Sequence, residues 1–536
     1  EIWLELFAQI SLTLRITFFV SMSPRKHPEL PSSPASTDHS QRLQILKAAA
    51  RTPCAAQPSG GIHLLKALST LLLALNPAPS VDSTSHSSLA TALKGKMILA
   101  PLTRGGNLPF RRLCADFGCE ASMGEMILAR ELARSKGPSR SLLRRASNEP
   151  FYGVQIATRN VDEGIAATKL AAEFGADFVD LNCGCPIYEV CRRGIGSELL
   201  KSPSKLAKLV RGIALESPLP FTVKIRLAAH SENINVRRVV QELREAGAAA
   251  VTIHGRTADA RYRHAADWQI IRQVVEDGVE NGSTMPIIGN GDILTWYEAR
   301  HRMNVSSADA VMVGRGALIK PWIFNEFKEN SPWEPSAHER IQVYRQLACY
   351  MKEHFGDDAI GRNKAWGFLP WHFDWFCRYR PYPEAEFASF ARENPLMQSR
   401  FEPDVTDPLV RLLANEHQVV HEMLAEKLWE STSDADAIAK LSAFAESKEL
   451  AAAIERSQST SADIAENGEE ANVPEQEHEG KRTKMRGRHR KPPKPQRTPE
   501  EIRILREQRA AKRALTGAPP HVNGRRGEKD TALAAA

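Results

Sequence analysis

The chain has 536 residues, 42% hydrophobic and 25% charged, enough for two or three domains and a sizeable core. Its net charge of +7 is uneven: residues 481–536 carry 17 Lys and Arg against 5 Asp and Glu, a net of +12, so the other 54 cations and 59 anions leave the body at −5. No uncharged apolar run reaches the 18 residues of a membrane-spanning helix, so no membrane partner is expected.

The sequence starts at Glu1 rather than Met, which reads as a fragment or an uncertain start. Leu6 to Val20 is apolar but carries Arg15 and is too short to span a bilayer. From Met22 to Lys94 the chain is rich in Ser, Ala and Pro, with Glu29, Asp38 and Asp82 its only acids. Residues 1–94 are therefore expected to be a disordered leader, with an organellar transit segment as the alternative.

From Lys96 short apolar runs alternate with helical patterns. The runs are KMILAP (96–101), EASMGEM (120–126), FYGVQI (151–156), DFVDLN (177–182), FTVKIR (221–226), AVTIHG (250–255), PIIGNG (286–291) and ADAVMVGR (308–315). Eight strands separated by helices predict an α/β fold, a (β/α)8 TIM barrel over residues 95–335. No GxGxxG opens a helix after the first run, which counts against a dinucleotide-binding open sheet. After Pro332 the spacing turns helical, predicting an all-helical domain over 336–450. Its aromatic stretch FLPWHFDWFCRYRPYP (368–383) reads as a core wedge or as an RNA-stacking surface. Residues 451–536 are expected to be a disordered tail, acidic and then basic, with nine cations in 481–497. Such a run suits phosphates or nuclear import.

The chemistry is expected at DLNCGCP (180–186), where a Gly-Cys-Pro turn would hold the Cys185 thiol beyond a strand's carboxyl end. Barrels of this kind build their active sites there. The competing reading is a buried small hydrophobe. The eight cysteines form no C-x-x-C pair and no disulfide framework, which fits a reducing compartment. Cys183, Cys185 and Cys191 match no common zinc spacing, so no metal is expected.

The other strand ends supply Ala100-Pro101-Leu102-Thr103, Gln155, Asn182, Lys224 and Arg226, His254 and Arg256, Asn290-Gly291-Asp292, and Gly314-Arg315. This set suits flavin mononucleotide (FMN). Gln155 and the first turn can meet its pyrimidine edge, and Lys224 the negative charge of its reduced form. The glycine-flanked turns after strands seven and eight can meet its phosphate.

Several stretches together resemble the tRNA-dihydrouridine synthase family, nearest its eukaryotic position-47 type. They are APLTRGGNLPFRRL (100–113), GEM (124–126), FVDLNCGCPI (178–187), TVKIR (222–226), VTIHGRT (251–257), GNGDIL (289–294) and RGALIKPWIF (315–324). The resemblance implies an FMN enzyme that reduces a uridine in tRNA to 5,6-dihydrouridine with NADPH. It implies that Cys185 protonates uracil C5. It implies FMN contacts from Pro101, Leu102, Thr103, Gln155, Lys224, His254, Asn290, Gly291, Asp292, Gly314 and Arg315, and a uracil pocket lined by Asn182 and Arg226. Asn182 has a second reading as a strand-end cap, His254 as a proton donor, and Arg256 as half of an ion pair.

Departures from the pattern exist. The position-47 type often carries Cys/His zinc fingers before the barrel, and no such spacing is found here. Gly367 and Pro370 interrupt a segment that is a basic helix in relatives, and Glu198 stands where a small residue is usual. A tRNA partner, a monomer, and a cytoplasmic or nuclear address follow, or an organellar one if the leader is a transit segment. Two rival readings are an FMN barrel reducing a free small molecule and a non-catalytic RNA-binding protein.

Overall fold

The computed structural model describes residues 83–134, 137–399 and 406–466. Its strands are β1 (Met97–Leu99), β2 (Ala121–Met123), β3 (Ile127–Leu128), β4 (Tyr152–Ala157), β5 (Phe178–Cys183), β6 (Phe221–Arg226), β7 (Val251–His254), β8 (Ile287–Asn290) and β9 (Ala310–Val313). All pair in parallel. β1 lies between β2 and β9, β2 pairs with β4, and β4 to β9 pair in succession. Eight strands thus close a ring. β3 resumes the path of β2 after residues 124–126 and pairs with β4, Ile127 opposite Ile156. The run expected as one strand over 120–126 is therefore two short ones.

Alternate residues of each strand share a face. The inner face begins with an apolar layer that includes Ile98, Ala121, Phe178, Ala250, Ile288 and Ala310. Gly153 makes room for the Phe178 ring, since a Cβ there would lie 2.2 Å from it. Two residues along β5 and β6 come Asp180 and Thr222, paired in register, and two further come Asn182 and Lys224, also paired. The interior thus changes from hydrocarbon to polar groups toward the strands' carboxyl ends.

The leader expected over 1–94 is helical at its end. Ser83–Leu93 forms a helix, and Leu89 and Leu93, each 1% exposed, join the apolar layer inside the ring. This helix seals the amino-terminal end of the barrel. Residues 1–82 lie outside the described residues.

Beyond β9 the chain is helical, beginning with Arg315–Ile319, Ile323–Glu329 and the 19-residue Ala337–Phe355. A capping box, Ser336 with Glu339, starts the last of these. The aromatic stretch folds mainly as the helix Leu369–Phe376, with His372, Phe373 and Phe376 buried. His372 stacks on Phe110 of the barrel helix Leu108–Asp116, ring centroids 4.7 Å apart. Most of this stretch is a core wedge joining barrel and helices. The short turn Leu396–Gln398 returns to the barrel, where Leu396 N–H donates to the buried Glu298 carboxylate at 3.0 Å. The described residues up to Thr460 form one compact unit, and the unit from Ser461 is described only to Glu466. The last helix, Lys448–Glu466, runs into the stretch from residue 451 that was expected to be disordered. The basic run 481–497 lies outside the described residues. No helix of the described residues is long and apolar enough to cross a membrane.

Candidate active site

The expected residues meet at the carboxyl end of the ring. Cys185 lies two residues beyond β5, half-buried, in a turn closed by Asn182. The Asn182 side-chain oxygen accepts from Gly184 N–H at 3.2 Å and Cys185 N–H at 3.0 Å. So Asn182 caps the strand end. Its amide nitrogen donates to Gln155 at 2.9 Å, and Gln155 donates in turn to Asp180 at 2.8 Å. From the other side, Ser197 N–H donates to Cys185 O at 3.0 Å. Arg226 braces the same turn, donating to Gly184 O and Thr257 O, each at 2.9 Å.

Lys224 donates to the Asn290 side chain at 3.0 Å, and Asn290 donates to Met312 O at 2.8 Å, which links β6, β8 and β9. His254 is 8% exposed. Burial pushes its pKa well below the usual value, and Arg226, Lys224, Arg256 and Arg315 push it further. Four cations therefore converge on one neutral imidazole. Its Nε2 lies 3.2 Å from Arg256 Nη1, which can only donate, so the ring proton belongs on Nδ1. A neutral ring with that nitrogen committed is poorly suited to protonate a substrate.

Arg256 pairs with Asp292 at 2.5 Å, both side chains 1% exposed, so the ion-pair reading of Arg256 is the observed one. The other Asp292 oxygen receives Arg315 at 3.1 Å. With its carboxylate committed to two arginines and to Ala266 N–H, Asp292 has its backbone left to offer a ligand. That backbone is left-handed, φ 50°, directly after Gly291 at φ 135°. The Arg315 guanidinium also covers the Tyr262 ring at 4.0 Å. The Pro101–Thr103 turn reaches the same end. Leu102 would lie 3.3 Å from a Cβ on Gly314, so the turns after β1 and β9 touch. Thr103 is exposed and Pro101 and Leu102 half-buried.

Burial raises the Asp180 pKa to about 6 against the opposing pull of Gln155, Thr222 and Lys224. Burial and then Arg226 lower that of Lys224 to about 8. Lys224, Arg226, Arg256 and Arg315 all act on His254, and Arg256 and Arg315 share the Asp292 carboxylate, so the donor set suits an anionic ligand. Sequence reasoning gave no role to Asp180, Thr222 or Tyr262. The first two were findable, each lying two residues before an expected residue on the same strand face.

A closed parallel barrel with its polar residues and a thiol gathered at the strands' carboxyl ends defines the class of (β/α)8 barrels. Within that class the chain belongs to the dihydrouridine synthase family, whose model matches residues 98–404. It is 40% identical over 291 residues to a human tRNA-dihydrouridine(47) synthase [NAD(P)(+)]-like protein, covering 54% of this chain and 44% of that one. It is 41% identical over 299 residues to the tRNA-dihydrouridine(47) synthase [NAD(P)(+)] of Coprinopsis cinerea, with the same coverages. The chain thus spans under half the length of these curated relatives. Among solved structures, morphinone reductase in complex with tetrahydroNAD aligns over 45% of this chain and 88% of its own at 12% identity, with a TM-score of 0.33, too slight to argue from.

Proposed function

We propose that the chain is an FMN-dependent tRNA-dihydrouridine synthase that reduces the C5=C6 bond of a tRNA uridine, at position 47, with NADPH as reductant. The observation that carries this reading is the Cys185 turn, closed by Asn182 at Cys185 N–H, on a rim where burial and the charges of Arg226, Lys224, Arg256 and Arg315 keep His254 neutral. Family membership and the names of the relatives support the same substrate and position.

FMN, when bound, would supply a hydride to uracil C6. Everything else falls to the chain. Gln155 and the Pro101–Thr103 turn would meet the pyrimidine edge of the flavin, Lys224 would meet its negative charge, and His254 would contact it. Asn290, the Gly291–Asp292 backbone, Gly314 and Arg315 would seat its phosphate. Asn182 and Arg226 line the uracil pocket, and Cys185 gives its proton to C5. An acid in this role has to stay a thiol, unlike a nucleophilic cysteine. Extracting the base from its stack costs roughly a few kcal/mol, met by contacts at the mouth and on the helical residues 336–450. We divide the chain accordingly into a leader to residue 94, an FMN barrel over 95–335, this helical domain, and a tail from 451.

The purified protein is expected to be yellow, to be bleached by NADPH, and to be reoxidised by unmodified tRNA with dihydrouridine formed. Cys185→Ala is expected to keep its flavin while turnover falls by about 100-fold or more, the usual weight of a positioned acid. An unchanged rate on the same tRNA would overturn the assignment.

A further inference from the structure

Building on the proposed function, we infer that Tyr188 is the platform on which the nucleotide next to the target uridine stacks. Among the described Phe, Tyr and Trp side chains Tyr188 is the most exposed, at 71%, with Phe390 next at 39%. A single exposed apolar group on a surface is ordinary. This one stands three residues beyond Cys185, on the loop that follows β5 at the mouth of the barrel. Three residues span at most roughly 10 Å, so the ring lies within reach of a strand whose next base is at the thiol.

The loop holds the ring in place. Tyr188 opens the single helical turn Tyr188–Cys191, entered through Pro186 and an extended Ile187 at φ −63° and ψ 131°. That turn is tied back to its own start. Cys191 N–H donates to Ile187 O at 3.0 Å, and the Cys191 thiol to Cys185 O at 3.5 Å. Val190 faces inward, where a Cβ on Gly196 would lie 2.8 Å from its Cγ1. Residues two apart do not share a helix face, so Tyr188 is turned outward when Val190 is turned in.

The surrounding charge suits a polyanion. Outside residues 481–536 the chain carries a net −5, yet the neighbours of this ring are mostly cations. Arg192 pairs with Glu189, and Arg193 follows. Arg159, from the loop after β4, reaches the same place: a Cβ on Gly194 would lie 3.0 Å from its Nη1. Arg159, Arg192 and Arg193 are all exposed. Three cations against one carboxylate therefore flank a bare aromatic face. A uridine drawn into the barrel leaves its stack, and the base beside it loses a partner. A flat ring at the rim replaces that partner for any base, and arginines beside it meet the phosphates. Tyrosine has only two side-chain torsions to fix, so the contact costs little ordering.

Affinity of the purified full chain for unmodified tRNA, measured by fluorescence anisotropy, reads this apart from turnover. Tyr188→Ala is expected to bind about tenfold more weakly, the weight of one base–aromatic stack, with an unchanged melting temperature. Tyr188→Phe keeps the ring and is expected to bind as wild type. Two further tRNAs, abasic at the nucleotide before or after position 47, find the stacked base. One of them is expected to bind wild type about tenfold more weakly, and to bind Tyr188→Ala no more weakly than intact tRNA does, because both changes remove one contact. Arg193→Ala is expected to reduce the slope of log affinity against log salt by about 1, which Tyr188→Ala leaves as it is. Wild-type affinity in Tyr188→Ala, or additive losses with both abasic tRNAs, overturns the proposal even if dihydrouridine is formed. A wild type that shows the coupling and forms no dihydrouridine overturns the functional reading alone.

Discussion

At the scale of single residues, Lys224 carries a test in its acid–base behaviour. Its ordinary pKa of 10.5 is lowered to about 8 by burial and then by Arg226. The charge is therefore complete well below pH 8 and is lost as pH rises through that value. Affinity for FMN, followed by fluorescence quenching, is expected to weaken above pH 8, and Lys224→Met to flatten that limb. The sign for stability is opposite. Between about 8 and 10.5 the unfolded chain holds a proton the folded one has released, so the Lys224 contribution to stability rises with pH. Arg111 is a structural counterpart. It pairs with Glu149 at 2.8 Å, side chains 2% and 1% exposed, and donates to Gly106 O at 2.7 Å in the turn after β1. Arg111→Ala leaves Glu149 buried and uncompensated, and urea unfolding is expected to show a loss of about 3–5 kcal/mol. Residue identities at the rim were legible in the sequence because polar groups at strand ends stand out against apolar runs. Their partners were not. Nothing in the spacing says that Asp292 is divided between Arg256 and Arg315, since the pairing depends on how two loops close over Tyr262.

At the scale of elements, seven of the eight apolar runs mark single strands to within two residues, because a strand buried on both faces is a continuous apolar run. The exception is β2 and β3. Gly124 interrupts them where a Cβ would lie 2.6 Å from the Tyr152 hydroxyl, a contact invisible without the neighbouring strand. The helix Ser83–Leu93 was also not legible. Its Ser-rich sequence, STSHSSLATAL, has weak amphipathic character, and its order comes from two leucines meeting the barrel interior. Each leucine should then behave as a core residue. Leu89→Ala is expected to lower unfolding free energy by about 2–5 kcal/mol, measurable by urea titration, despite lying in a stretch that composition marks as a leader.

At the scale of the whole molecule, the helical region and the barrel share a polar seam that no local pattern reveals. Gln398, on the returning turn, donates to Asp292 at 3.4 Å, and Leu396 N–H to Glu298, in the helix that follows. These residues are about 100 positions apart, and long-range pairs of that kind leave no local periodicity. The division into barrel and helices was legible, by contrast, because the hydrophobic repeat changes from strand runs to helical spacing. One further consequence comes from the sealed amino-terminal end. With hydrocarbon packed from Leu89 and Leu93 into the ring, the described residues close its amino-terminal end and leave the carboxyl-end mouth as the way in. Under the proposed function, nicotinamide and nucleic acid have to use it in turn, the first gone before the second arrives. Initial-rate plots at several fixed concentrations of one reactant should therefore be parallel lines, the signature of a ping-pong cycle, and converging lines would mean both reactants occupy the enzyme together.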